Sequence, residues 1–233
     1  MPERRLINTA RSSDLVTTKV LINGTELSRT INILSIVVEK EINRIPSARL
    51  VIADGDPATQ DFSVSNQNLF IPGNEIVITA GYHFEEETIF KGIIIKQNLK
   101  IRTDNSQLIG ECRDVSVKMT IGRKSKYFID KKDSEILEEI ISAYAIDNQI
   151  ESTSVTHKEM IQYNVTDWDF CILRAQLNGK VCFASDGKLV VKSPGYDADE
   201  VETVSYGATL LDLDAEIDAR SQLPGVTGYS WDY

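Results

Sequence analysis

The residue types that most often perform catalysis are scarce in this sequence. The chain has two histidines, His83 and His157, and neither lies in an H-E-x-x-H motif or in a recognised nucleophile motif. There is no G-x-G-x-x-G sequence and no P-loop, so nucleotide binding has no support. We therefore predict that the protein is not an enzyme and has no catalytic residue, cofactor or metal. Both histidines are expected in loops or at strand edges.

Two further groups of residues could be mistaken for ligand sites. Asp54, Asp56 and Asp61 are close in sequence, but their spacing is not that of a calcium loop and the closing glutamate is missing, which favours a turn. Three cysteines make an odd number without metal-site spacing, and we predict that they are reduced and partly buried: Cys112, Cys171 and Cys182.

An acidic segment near the C-terminal end is a candidate binding surface. Its four carboxylates are Asp212, Asp214, Glu216 and Asp218. They alternate with Leu211, Leu213, Ala215 and Ile217, which predicts a strand with one apolar and one acidic face. Like charges about 6–7 Å apart repel one another and gain from a counter-charge. The acidic face could bind a cation or a basic partner surface, and the alternative is a solvated strand face.

A basic stretch in the middle of the chain is the second candidate surface. Its members are Lys118, Arg123, Lys124, Lys126, Lys131 and Lys132. With Tyr127 and Phe128 as stacking aromatics it could bind nucleic acid, but the net charge of −10 argues against this. A solvated connection or a contact between subunits is the favoured interpretation. We take Lys124, Lys126, Lys131 and Lys132, with the four carboxylates, as candidate contacts to a subunit or a tube protein.

Composition places the chain among ordinary globular proteins. It has 233 residues, of which 42% are hydrophobic and 26% charged, which excludes a disordered tail, collagen and a coiled-coil rod. The longest uncharged run near the apolar stretches, Thr30 to Val38, is far shorter than the ~20 residues of a membrane helix. The start, MPERRLINTARSSDL, has no apolar core of a secretory signal, so we expect synthesis in the cytoplasm.

Hydrophobic patterning predicts a mainly β fold with an α+β insertion. Residues 1–14 are expected to form a flexible arm, and residues 15–125 a β-barrel or β-sandwich of six to eight short strands. Residues 126–196 are predicted to form the α+β insertion, and residues 197–233 to return to strand structure.

Two helices are expected in the insertion. The first is capped by Asp133. The second begins at Thr166 and ends at Asn178-Gly179. Its predicted buried stripe contains Trp168, Phe170, Leu173 and Leu177.

The order of these segments resembles a known family. The stretches VLINGTELSRTINILSIVVEKEINRIPSARLVIADGDP, FIPGNEIVITAGY and IFKGIIIKQNLKI are similar to the N-terminal part of VgrG (Rhs-element Vgr) spike proteins of type VI secretion. YNVTDWDFCILRAQLNGKVCFASDGKLVV looks like the signature of that family. The similarity runs through most of residues 15–233 and rests on the order and spacing of the motifs.

The resemblance implies a structural role at the tip of a contractile injection apparatus. VgrG proteins are similar to phage baseplate hubs, in which three chains with two small barrels each form a pseudo-sixfold ring. The resemblance thus implies that residues 15–125 are the first small β-barrel and residues 197–233 the incomplete start of the second. Such a homotrimer binds a hexameric Hcp-like tube protein, and C-terminal domains carry effector or tip proteins. The resemblance implies export within the apparatus without a signal peptide, and neither nucleic-acid binding nor membrane insertion. A cell-wall hydrolase of a phage-like tail and a nucleic-acid-binding β-barrel protein are the alternatives.

Overall fold

A computed structural model describes residues 16–56, 60–82, 85–102, 106–195, 199–200, 203–210, 212–220, 223 and 225–229. The predicted arm at 1–14, His83 and Leu211 lie outside the described residues. The chain divides into two compact units, one of residues 14–196 and one of residues 1–13 with 197–233.

The larger unit begins with a seven-stranded antiparallel sheet. Its strands are β1 (Thr17–Ile22), β2 (Thr25–Glu26), β3 (Ile33–Glu39), β4 (Ser47–Ala53), β5 (Glu75–Tyr82), β6 (Glu85–Lys100) and β7 (Gln107–Arg113). The spatial order is β2-β1-β5-β6-β7-β4-β3. The predicted inward alternation of Ala48, Leu50 and Ile52 is confirmed, because all three are buried in one core with side chains from the other long strands.

The mainly β fold class is confirmed, but the sheet is not closed into a barrel within the described residues. The sheet has two ends, β2 and β3, that do not pair with each other. β2 has only two residues and pairs with Leu21 and Ile22 of β1. Among the described residues, the Thr17–Val20 part of β1 therefore has no outer strand that could pair with β3 and close a barrel. The order of pairing is therefore that of an open sheet around one core.

The predicted α+β insertion follows in the same unit. Its elements are β8 (Lys124–Lys132), α1 (Asp133–Ser142), β9 (Asp147–Ile150), β10 (Thr156–Val165), α2 (Asp167–Leu177), β11 (Val181–Ser185) and β12 (Lys188–Lys192). β8 and β10 form a two-stranded antiparallel ribbon, and β11, β12 and β9 form a second small sheet. Both helices pack into a second hydrophobic core between these sheets.

The ends of helix α2 agree with the prediction. The Thr166 hydroxyl accepts a hydrogen bond from the Asp169 N–H at 3.1 Å, and the chain leaves the helix at Asn178 and Gly179, where Gly179 has a φ of +65°. For α1 the predicted cap was one residue late. Lys132 is the N-cap, because its backbone is still extended and its N–H is bound by the Glu135 carboxylate, and Asp133 is the first helical residue.

The predicted buried stripe of α2 was half wrong. Trp168 and Phe170 are buried, but Leu173 and Leu177 are 53% and 66% exposed. Instead, Cys171 and Ala175 face the core. The helix packs against a 3₁₀ turn at Val115–Thr120, helix α1 and strand β11, so its buried side combines the two aromatic rings with the small Cys171 and Ala175.

The C-terminal unit does not contain the predicted strand in its described part. Residues 212–220 form neither a strand nor a helix, and Leu213 and Ile217 are 69% and 95% exposed rather than in a core. An isolated bridge joins Tyr206 to Leu210. A strand requires a neighbour to bind its backbone groups, and none is paired with these residues where the structure describes them. The start of a second barrel stays a prediction.

Candidate interaction surface

Strand β8, which carries most of the basic stretch, has two different faces. Phe128 and its partner Met160 on β10 point toward the helices, and Phe128 is buried. Because side chains alternate along a strand, Lys124 and Lys126 lie on this helix-facing side. Ser125, Tyr127 and Ile129 point outward.

Lys124 is held by a polar cluster at the start of α2. Its ammonium lies 2.6 Å from the Asp167 carboxylate and 2.8 Å from the Tyr144 hydroxyl. Asp167 is buried and also accepts from Tyr144 at 2.6 Å and from the Gln162 amide at 2.7 Å. Burial raises the pKa of Asp167, but the hydrogen bonds from Gln162, Lys124 and Tyr144 outweigh it, so the pKa is lowered. The cluster joins β8 to β10, to the start of α2 and to the turn that follows α1.

Lys126 and Lys131 share one carboxylate. The Lys126 ammonium lies 2.5 Å from Glu139 of α1, and Lys131 contacts the other oxygen of the same side chain. Hydrogen bonds from the two lysines lower the pKa of Glu139. Two positive charges therefore face a single negative one, and about half of the Lys126 side chain stays accessible to solvent.

Lys132 and Phe128 have structural roles that the sequence did not indicate. The Lys132 N–H donates to the Glu135 carboxylate at 2.8 Å, which closes the first turn of α1. The Phe128 ring lies 6.1 Å from the Phe170 ring inside the core. Because it is buried, Phe128 cannot stack on a base, which removes one of the two aromatics on which the nucleic-acid alternative depended.

The outer face of the β8–β10 ribbon is an apolar surface that sequence reasoning missed. Tyr127 lies directly opposite Ile161, and both are exposed. Ile129 and Tyr163 extend the patch along the two strands, and Tyr163 is 79% exposed. The alternation in K-S-K-Y-F-I indicates a strand with two different faces. Only the pairing with β10 shows that the face with Tyr127 and Ile129 is the one exposed to solvent.

The four predicted carboxylates lie in the other compact unit. Asp212, Asp214, Glu216 and Asp218 are all exposed. Asp218 forms an ion pair with Arg220 at 2.6 Å, and hydrogen bonds from Arg220 lower its pKa.

His157 lies on β10, an edge strand as the prediction allowed, and takes part in a polar cluster around the buried Asp133. Its Nε2 atom lies 3.0 Å from the Asp133 carboxylate and 3.1 Å from the Arg174 guanidinium. Arg174 donates two hydrogen bonds to Asp133, at 2.5 and 2.8 Å, and the Asn178 amide donates a third at 2.9 Å. Burial raises the pKa of Asp133, but these partners outweigh it and lower the pKa to about 2. The cluster joins the start of α1 to β10 and to the end of α2.

The remaining candidate ligand groups are structural. Asp54 is buried and accepts hydrogen bonds from the N–H groups of Gly55, Val64 and Ser65, which confirms the turn interpretation. All three cysteines are free and buried, and burial raises the pKa of the Cys112 and Cys182 thiols to about 12. In the part of the chain that the structure describes, no three or more His, Cys, Asp or Glu side chains are grouped to hold a metal, and no helix could span a membrane.

Comparison with known proteins identifies a family and a fold. The profile of the family described as "Alg8 N-terminal domain" matches residues 12–233. No curated protein sequence matches the chain.

Three solved structures share the fold at low identity. The 43 kDa tail protein of prophage MuSo2 from Shewanella oneidensis is 10% identical, with a TM-score of 0.60 over 76% of this chain and 53% of its own. The tail protein from Neisseria meningitidis MC58 is 14% identical, with a TM-score of 0.61 over 80% of this chain and 53% of its own. A component of the type VI secretion system of E. coli, described as similar to T4 bacteriophage tail proteins, is 15% identical, with a TM-score of 0.54 over 74% and 48%. This chain therefore spans about half the length of the structures it matches.

Proposed function

The chain belongs to the Alg8 N-terminal domain family, and we propose that it is a structural hub component of a contractile tail or injection apparatus. The observation that carries this proposal is the shared fold. An open β-sheet followed by an α+β insertion matches phage tail proteins and a type VI secretion component over about three quarters of the chain. The resemblance to VgrG spike proteins is part of this proposal, because the matching family is the Alg8 N-terminal domain and the tail and secretion proteins share only the fold.

In the proposed assembly the chain forms a homotrimeric adaptor. The ring binds a hexameric Hcp-like tube protein on one side and leads into the spike on the other, where effector or tip proteins attach through further domains. The protein is made in the cytoplasm and leaves the cell as part of the apparatus. Neither nucleic acid nor a membrane is a partner of this portion.

The role is proposed to be non-enzymatic, and the polar clusters support that interpretation. Asp133, Asp167 and Glu139 are each held by cations or amides that join secondary-structure elements. A general acid or nucleophile needs access to substrate, whereas two of these carboxylates, Asp133 and Asp167, are buried in contacts within the fold. The purified chain should not degrade peptidoglycan; degradation would favour the cell-wall hydrolase alternative.

Immunogold labelling of apparatus particles from producing cells tests the proposed location. An antibody against the 233-residue chain should label one end of the tube. Antibody against the tube protein, as a control on the same grids, should label along broken tubes. Label along the whole tube, or particles that carry none of the chain, would contradict the hub role.

A further inference from the structure

Strand β8 has a free edge on the side away from β10. The ribbon contains only these two strands, and no other strand pairs with β8 among the described residues. Within the part of the chain that the structure describes, alternate residues from Lys124 to Ile129 thus present backbone groups without a strand partner on that side. Such an edge can accept an additional strand, whose main-chain hydrogen bonds supply affinity and whose alternate side chains supply specificity.

The acidic segment, residues 212–218, has the matching pattern. In β8 the lysines at 124 and 126 point to one side and Tyr127 and Ile129 to the other. In the acidic segment carboxylates alternate with Leu213, Ala215 and Ile217. A strand of this segment beside β8 would place its carboxylates next to the lysines and its apolar side chains next to Tyr127 and Ile129, because neighbouring strands share the side-chain period of two.

Charge favours the same pairing. Five cations lie on or beside β8: Arg123, Lys124, Lys126, Lys131 and Lys132. Five carboxylates accompany them, namely Asp167, Glu139, Asp130, Glu135 and Glu159, so the ribbon as a whole is balanced. The positive charge left for a partner is local, because Lys126 and Lys131 share the single carboxylate of Glu139. The acidic segment brings four carboxylates, of which only Asp218 is in an ion pair within the described residues. An ammonium has three donors, so Lys126 can keep Glu139 and still accept a second carboxylate.

We infer that residues 212–218 of one copy of this chain add as a third strand along the free edge of β8 of a second copy. The inference rests on the proposed function, in which several copies surround one axis. Each copy then gives one strand and receives one, and such a head-to-tail contact closes into a ring when the rotation between copies allows it. The contact would bury Leu213 and Ile217, which are exposed in the single chain.

Cross-linking between two differently marked copies tests this contact. One full-length chain carries Tyr127→Cys, and a second, of different tag size, carries Ala215→Cys. Neighbouring strands bring opposite Cβ atoms to about 4.5–5.5 Å, close enough for a disulfide with small shifts. The three native cysteines are buried and form a low background. The matched control replaces Tyr127→Cys with Ile101→Cys, because Ile101 is equally exposed and lies outside the ribbon.

We expect a disulfide-linked heterodimer from the Tyr127→Cys and Ala215→Cys mixture, at a yield at least tenfold above the Ile101→Cys control. Equal yields would overturn the inference. So would a disulfide that forms only when both cysteines are in one chain. Mass measurement by light scattering on the same samples separates the two proposals. A trimer without the cross-link contradicts only the strand addition, and a monomer at every concentration contradicts the trimeric hub as well.

Discussion

Asn43 binds both backbone groups of Cys182. The Asn43 N–H donates to the Cys182 carbonyl oxygen at 2.7 Å, and the Asn43 side-chain oxygen accepts from the Cys182 N–H at 2.9 Å. Asn43 lies in the turn between β3 and β4, and Cys182 lies on β11. A turn of the large sheet therefore binds the backbone of a strand in the α+β insertion. Asn43 has a φ of +60°, a conformation that asparagine tolerates better than most residues.

Removal of this contact should weaken the junction between the two halves of residues 14–196. Asn43→Gly keeps the left-handed backbone but leaves the Cys182 N–H without its acceptor, and we expect a loss of about 1–3 kcal/mol in the free energy of unfolding. Urea denaturation measures it. Asn68→Gly is the control, because Asn68 is also left-handed and its side chain is exposed. An Asn43→Gly variant as stable as the parent would show that the junction does not depend on this side chain.

Two substitutions in α2 test which face of the helix is buried. Phe170→Ala removes a buried ring that stacks on Phe128 and should cost about 3–5 kcal/mol in the free energy of unfolding. Leu173→Ala changes a half-exposed side chain of the same helix and should cost about 0.5 kcal/mol or less. Both are measured by chemical denaturation. A larger cost for Leu173→Ala than for Phe170→Ala would place the core on the other side of α2.

The ends of α2 could be predicted because their signals are local. Thr166, with Asp169 three residues later, and the Asn178-Gly179 pair determine where the helix begins and ends. The buried face could not be predicted from the same segment, because both leucines fit a helical stripe and only the packing partners decide between them and Cys171 with Ala175.

Long-range contacts account for most of what the sequence could not show about the surface. Asp133 and Arg174 are 41 residues apart, and no spacing rule joins them. The sequence gives Lys126 and Lys131 no partner, whereas in the structure both contact Glu139 of α1. The exposure of Tyr127 follows from its pairing with Ile161, which depends on the fold of the whole insertion.

The Asp133 cluster should make stability depend on pH in the acid range. The pKa of Asp133 is about 2 in the folded state against an ordinary value of 3.8. A lowered folded pKa contributes stability above the ordinary value, and that contribution is lost as the pH falls toward about 2. Asp133→Asn should therefore be less stable than the parent at neutral pH, and the difference should shrink in acid.

Unfolding curves at several pH values measure this dependence. Glu138→Gln is the matched control, because Glu138 is an exposed carboxylate on the same helix. Its stability should differ from the parent's by about 0.5 kcal/mol or less. A constant difference between Asp133→Asn and the parent across the acid range would mean that the carboxylate is not ionised in the folded cluster.

Neutralisation of the acidic segment should affect assembly and not folding. The variant carries four substitutions: Asp212→Asn, Asp214→Asn, Glu216→Gln and Asp218→Asn. It removes charges that are exposed in the single chain. Exposed ion pairs contribute only about 0.2–1 kcal/mol each and weaken with salt. The variant should therefore assemble less than the parent, and the difference between them should be larger at low ionic strength than at high. Circular dichroism checks the fold, and light scattering at two salt concentrations measures assembly. If the variant and the parent assemble equally at both salt concentrations, the acidic segment is a solvated face and not a contact surface.

Cryo-electron microscopy of tube ends tests the central claim most directly. Tubes purified from producing cells, and imaged with particles aligned on their tips, should show three copies of the fold of residues 14–196 around the axis at one end of the tube. A tip reconstruction that lacks this fold, or that contains it at a position remote from the tube, would contradict the account.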